Sequence, residues 1–223
     1  VFKVKKPVNL GFLDFSDIHK RHDACVTEVE LNRRLASSVY LGLLPVTRDQ
    51  DGQHKIAGQG TTVDWAVHMR RLPEADRLDI RLEQGRLSEE QLDLVVTHLA
   101  AFHETLGPSN LSSIYGGTSS VRENIEENFE QTRELLPKYL KSEQIEELVS
   151  WQRDFLSQHE DDFAARSQQG RVREGHGDLR LEHIYLQDDG SIDVLDCIEF
   201  NQRFRIADVC ADIVFLAMDL AKQ

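Results

Sequence analysis

The stretch GHGDLRLEHIYLQDDGSIDVLDCIEF, residues 175–200, decides how this chain is read. Two short apolar runs, His183–Gln187 and Ser191–Phe200, flank an Asp188-Asp189-Gly190 turn, which predicts a β-hairpin. An aspartate stands at each end of it, Asp178 before and Asp196 after. A hairpin brings its ends together, so both carboxylates can face one site. Phosphoryl transfer asks for such a pair: one acid orients the attacking hydroxyl and the other holds the Mg²⁺ that bridges the phosphates. Taken alone, the two acids read equally as turn caps.

Outward from the hairpin, the chain divides in character. Residues 1–72 are rich in strand patterns. VFKVKKPV alternates apolar and basic residues, DACVTEVELNRRLASS carries helical spacing, an Asp51-Gly52 turn predicts a hairpin, and TTVDWAVHMRRL alternates until Pro73. The expected order is strand, helix, strand, strand. Residues 73–223 turn helical. SEEQLDLVVTHLAAFHETLG opens on a capping box of Ser88 with Gln91, with Leu92, Val95, Val96, Leu99, Phe102 and Leu106 as its apolar stripe. A second helix is expected with Ser120 and Glu123 as its box, a third from Ser142 through residue 168, and a last one over IADVCADIVFLAMDLA.

The ordering H-G-D-L-x-x-x-H followed by VLDCIEFN resembles the catalytic loop and metal-binding aspartate of the aminoglycoside phosphotransferase family, within the protein-kinase-like superfamily. RFRIADVCADIVFLAMDL resembles the helix that follows there. The resemblance covers nearly the whole chain. It implies an α+β, protein-kinase-like two-lobed fold: a small β-rich N-lobe over 1–72, incomplete for want of a glycine-rich loop, and a mainly helical C-lobe over 73–223 with the catalytic hairpin. It implies an ATP-dependent phosphotransferase acting on a small-molecule hydroxyl, with ATP and Mg²⁺ as cofactors. Asp178 becomes the base and Asp196 the main Mg²⁺ ligand. Lys3 becomes the phosphate lysine, with Lys5 competing, and Glu28 its helix partner, with Glu30 the alternative. Backbone around Met69, Arg71 and Leu72 would meet the adenine edge.

The sequence departs from the family pattern twice. Arg180 stands where histidine is usual and adds a fixed cation beside the phosphates; it reads equally as a surface ion pair with Glu182 or Asp178. His183 stands where asparagine is usual. Imidazole is a softer ligand than the oxygens Mg²⁺ prefers, so His183 either binds the metal or marks weakened catalysis. The second case gives a rival function, a nucleotide-binding or regulatory pseudokinase module. The branch resembled most joins this domain to a P-loop ATP-binding domain, which implies such a partner in the full-length protein; these residues contain no G-x-x-x-x-G-K-[ST] motif.

Composition sets further bounds. A formal charge of −13 argues against binding nucleic acid or anionic membrane. No apolar run approaches the ~18 residues of a membrane span. Three widely spaced cysteines suit a reduced, cytoplasmic protein.

Overall fold

A computed structural model describes residues 1–222. The protein is a mixed α+β chain in two compact units, the first discontinuous in sequence: Val1–Thr105, His176–Arg205 and the chain from Ala211 onward. The second comprises Leu106–Gly175 with Ile206–Cys210.

The first unit is built on a four-stranded antiparallel sheet of β1 (Phe2–Val4), β2 (Tyr40–Arg48), β3 (His54–Ile56) and β4 (Thr61–Met69), in the order β1-β4-β2-β3. Helix α1 (Ile18–Asn32) packs on it. Strand and helix form in the expected order, but three strands follow the helix where the expected order had two. The helix starts earlier than its apolar spacing suggests, because Asp17 caps it, accepting from the His19 and Lys20 amides at 2.7 and 3.1 Å. It ends at Asn32, short of Ser37 and Ser38 where its spacing placed the end, and β2 begins at Tyr40.

Strand β1 is inverted relative to an ordinary amphipathic strand. Phe2 and Val4 are 48% and 47% exposed, whereas Lys5 is buried and Lys3 half-buried. The period of two therefore sends both lysines to the α1 side. Helical spacing on α1 answers them: Arg21, Cys25, Glu28, Val29 and Asn32 are its buried face, and Glu30, two residues on and so on the opposite side, is exposed.

The rest of this unit supports the loop at 176–183. Helix α2 (Leu78–Glu83) was not foreseen. Helix α3 (Glu89–Thr105) opens on the expected box, with the Ser88 amide donating to Gln91 Oε1 at 3.2 Å and the Gln91 amide to Ser88 Oγ at 3.3 Å. Val95, Leu99 and Phe102 of its stripe are buried; Val96 is not. The hairpin of β6 (Ile184–Leu186) and β7 (Ile192–Val194) forms as read. Leu179, Leu181, Ile184, Leu186 and Val194 share one apolar core with Leu78, Val95, Leu99 and Leu216. Fully burying such side chains stabilises by roughly 1.5–3 kcal/mol each, so both flanks of the loop are fixed by packing. Helix α8 (Gln202–Arg205) and most of α9 (Val209–Lys222) complete the unit.

The second unit holds α4 (Ser112–Tyr115), α5 (Thr118–Thr132), α6 (Ser142–Gln158) and α7 (Glu160–Gln168), with β5 (Val172–Glu174) paired antiparallel to β8 (Ile206–Asp208). Three readings change here. Ser120 is not a cap: α5 begins after Gly117, so Ser120 lies buried in its first turn. Ser142 is the first helical residue of α6, preceded by Lys141, whose amide donates to Gln144 Oε1 at 3.0 Å. The single expected helix breaks at His159, where ψ rises to 18° and the ring pairs with Asp162 at 2.8 Å. Among the described residues, no helix is long and apolar enough to cross a membrane.

Candidate functional site

Every candidate residue lies in the first unit. Lys3 Nζ donates to Asp196 Oδ1 at 2.5 Å and stands 2.9 Å from Glu28 Oε1. Lys5 Nζ donates to Glu28 Oε2 at 2.7 Å and to Glu199. The two lysines thus share one fully buried carboxylate and differ in their second partner. Lys3 reaches Asp196, and Lys5 ties β1 and α1 to Glu199. Burial works against the Lys3 cation, but Glu28 and Asp196 more than offset it and raise its pKa. Burial likewise pushes the Asp196 carboxyl up; Lys3 overrides this and leaves it below the ordinary value.

Asp196 has φ +67°, a left-handed backbone that a non-glycine side chain adopts only when its surroundings impose it. The surroundings are visible. Its amide donates to Tyr40 Oη at 3.2 Å, the next amide, Cys197, donates to Asn32 Oδ1 at 2.9 Å, and Leu195 N donates to His183 O at 2.9 Å. Asn32 in turn donates to Glu28 O at 2.8 Å, so α1 holds both the glutamate and the loop after Asp196.

The Asp178 loop is held from α9. The Asp212 carboxylate accepts the His176 and Gly177 amides, each at 2.8 Å, and Asp219 accepts the Leu181 amide at 3.1 Å. Seven residues apart, these acids lie two turns along one helix face. His176 is buried between Leu195 O, 2.8 Å from its Nε2, and the Asp178 amide, 3.2 Å from its Nδ1. That pairing fixes the neutral tautomer with the proton on Nε2. Burial lowers its pKa. Gly177 turns at φ +88°, and a Cβ there would meet Phe204 O at 2.9 Å.

His183 follows in a short 3₁₀ turn, and its Nδ1 lies 2.8 Å from Asp178 O. His183, Asp196, Lys3, Tyr40 and Met69 line one cleft of about 270 Å³. Lys3, Asp196 and Asp178 line a second, of about 320 Å³. The Lys3–Asp196 pair is common to both.

Two candidates stand apart. Arg180 pairs with Glu182 at 2.6 Å and approaches Asp219 at 3.8 Å, and it lines neither cleft. Arg71 is exposed beyond β4 and lines neither cleft. At Met69 the side chain lines the first cleft, while its backbone amide and carbonyl pair with Val1.

The donor set bears on a metal. Among the described residues no three His, Cys, Asp or Glu side chains converge as a closed cage. Mg²⁺ does not ask for one: it takes one or two carboxylates and completes its shell with phosphate oxygens and water. Asp196, half-exposed at 49% and aimed at Lys3, and Asp178 in the same cleft are carboxylates of that kind.

Tyr40, Asn32 and Asp219 did not stand out in the sequence. Only Asp219 had a usable signal, its seven-residue spacing from Asp212.

No protein-family model and no solved structure matches the chain. It is similar to Uncharacterized protein Rv2004c of Mycobacterium tuberculosis (strain ATCC 25618 / H37Rv) and to Uncharacterized protein Mb2027c of Mycobacterium bovis (strain ATCC BAA-935 / AF2122/97). Each is 34% identical over 219 residues, an alignment covering 98% of this chain and 42% of the relative, so the chain spans less than half the length of these relatives.

Proposed function

We propose that this chain is an ATP-dependent phosphotransferase acting on a hydroxyl of a small molecule, resembling the aminoglycoside phosphotransferases, with the kinase-like two-lobed arrangement that the resemblance implies. One observation carries the reading: Lys3 from β1 contacts both Glu28 of α1 and Asp196 after the hairpin, and Asp178 lines the same cleft. A strand lysine, a helix glutamate and two aspartates flanking one distant hairpin are gathered around one cleft. Phosphoryl transfer needs that set, because its catalysis is mostly positioning and charge stabilisation.

Each residue then has a task. Lys3 holds phosphate oxygens, and Glu28 fixes the direction of its ammonium. Asp196 would hold Mg²⁺, which when bound neutralises phosphate charge. Asp178 orients the acceptor hydroxyl and takes its proton. Met69 and Tyr40 give the first cleft an apolar side suited to a base. Arg180 and Arg71 have no contact that supports their expected roles. In a longer protein the resemblance further implies a P-loop partner domain.

A second reading, a nucleotide-binding module of weak activity, is favoured by His183, whose ring is committed to Asp178 O where an asparagine amide is usual. The two part on one experiment. Phosphate release and transfer from Mg·ATP are measured for the wild type and Asp178→Asn. Turnover in the wild type with loss of about 10²–10⁴-fold in the variant supports the enzyme. Binding of nucleotide without turnover, unaltered by the substitution, supports the module.

A further inference from the structure

The cleft that contains Asp178 carries more chemistry than its aspartates. One wall is apolar, formed by Leu13 and Phe15 from the β1–α1 loop and by Ile198 and Phe200 after Asp196. That wall is built rather than incidental. The loop is pinned by a bridge between Asn9 and Asp14, by Arg21 donating to Phe15 O at 3.0 Å, and by Asn201 donating to Phe12 O at 3.4 Å. Phe12 packs against Phe200 with ring centroids 6.0 Å apart, and Phe200 against Phe204 at 6.2 Å. Lys5 lies over the Phe15 ring, 4.9 Å from its centroid.

The charged side of the cleft points the same way. Asp178, Asp196 and Glu199 line it, which at first sight suits a polyamine. Yet Glu199 is paired with Lys5, their side chains only 8% and 4% exposed, and Asp196 is paired with Lys3. Asp178 alone has no lysine or arginine partner among the described residues. An acceptor with several ammonium groups would find one cleft carboxylate without a lysine or arginine partner, Asp178, itself 3.9 Å from the His183 ring, and would leave its remaining charges unpaired against an aromatic wall. Unmatched charges of this kind are how a site rejects a ligand. The volume, about 320 Å³, is at the lower end of the roughly 300–1,000 Å³ of small-molecule sites.

Resting on the phosphotransferase reading, we infer that this cleft takes the acceptor, and that the acceptor is a small hydroxyl compound without multiple positive charges, carrying an apolar or aromatic face. The apolar face lies on Leu13 and Phe200, and the hydroxyl meets Asp178. The acceptor O–H proton passes to the Asp178 carboxylate as the hydroxyl oxygen bonds to the γ-phosphorus of ATP, and ADP leaves with the electron pair of the broken P–O bond.

The test uses two probes on the intact chain: 4-nitrophenyl β-glucoside, neutral and aromatic, and kanamycin, a polyamine. Binding is read by calorimetry and, separately, phosphate transfer from Mg·ATP. The glucoside is expected to bind more tightly than kanamycin, and Phe200→Ala and Leu13→Ala each to weaken the glucoside about tenfold with Mg·ATP affinity unaltered. Because Leu13 lies on a loop outside both apolar cores, its variant keeps the test open should Phe200→Ala not fold. Tighter binding of kanamycin, no binding of the glucoside, or glucoside binding indifferent to both substitutions would overturn the inference. Glucoside binding as expected with no phosphate transfer to any acceptor overturns the phosphotransferase reading instead. Preferential phosphorylation of kanamycin overturns the inference and leaves that reading standing.

Discussion

Ion pairs do different work in the two units. Around Glu28 they are buried on one side: a carboxylate with no solvent exposure carries two lysines, of which Lys5 is enclosed with Glu199 as well, while the outer Lys3–Asp196 contact stays half open to solvent. In the helical unit, Arg153 of α6 meets Glu126 of α5 at 2.7 Å with both side chains well exposed. The contact distances are alike. The surroundings are not. Water and salt screen the exposed pair, whereas breaking the buried set strands charges in a low dielectric. Geometry alone therefore does not rank these interactions; burial does.

Substitutions sharpen the contrast, from large effects to small. Glu28→Ala leaves Lys5 buried beside one acid and Lys3 with only Asp196. It should cost about 3–5 kcal/mol in denaturant unfolding, and a loss below about 1 kcal/mol would show that the cluster relaxes into solvent. Gly177→Ala forces a Cβ against the Phe204 carbonyl in left-handed backbone, so about 2–3 kcal/mol is expected from the same measurement. Asp212→Ala removes the acceptor of one buried and one half-buried amide at the Asp178 loop, with about 1–3 kcal/mol lost and amide exchange at His176 and Gly177 accelerated. Arg153→Ala should leave the melting temperature unchanged at any salt concentration; a clear drop at low salt would break the comparison.

Acid adds a graded test. His176 is neutral in the folded protein with its pKa lowered by burial, so the unfolded chain binds the extra proton first. Stability should fall as pH drops through the ordinary histidine value, about 6.5, and His176→Gln should flatten that step. Asp196, held below the ordinary carboxylate value, contributes stability that is present at neutral pH and lost only further down, as pH falls through its folded pKa.

Some of this was legible in the sequence because the signals are local. The Asp188-Asp189-Gly190 turn fixes the hairpin, and Ser88 with Gln91 fixes the start of α3. Lys3, Glu28, Asp178 and Asp196 were legible as a pattern of residues. Their meeting depends on tertiary packing, and the structure supplies it. What stayed hidden is non-local or short. Strands β5 and β8 are three residues each and pair across more than thirty residues. The break between α6 and α7 lies at a histidine, which carries no breaker signal. Asn32 acts on a backbone amide far along the chain, and nothing near it in sequence marks it. The β1–α1 loop reads as a polar connection until Phe12 and Phe15 are seen against residues 196–204.

The central claim is that Lys3, Glu28 and Asp196 form a site for metal-bound nucleotide phosphates. It is tested most directly by thermal unfolding with ATP, with and without Mg²⁺, of the wild type and Asp196→Asn. A Mg²⁺-dependent rise in melting temperature is expected for the wild type and its loss in Asp196→Asn, since ligand binding to the folded state raises stability by mass action. No rise in the wild type, or an equal rise in the variant, would contradict it.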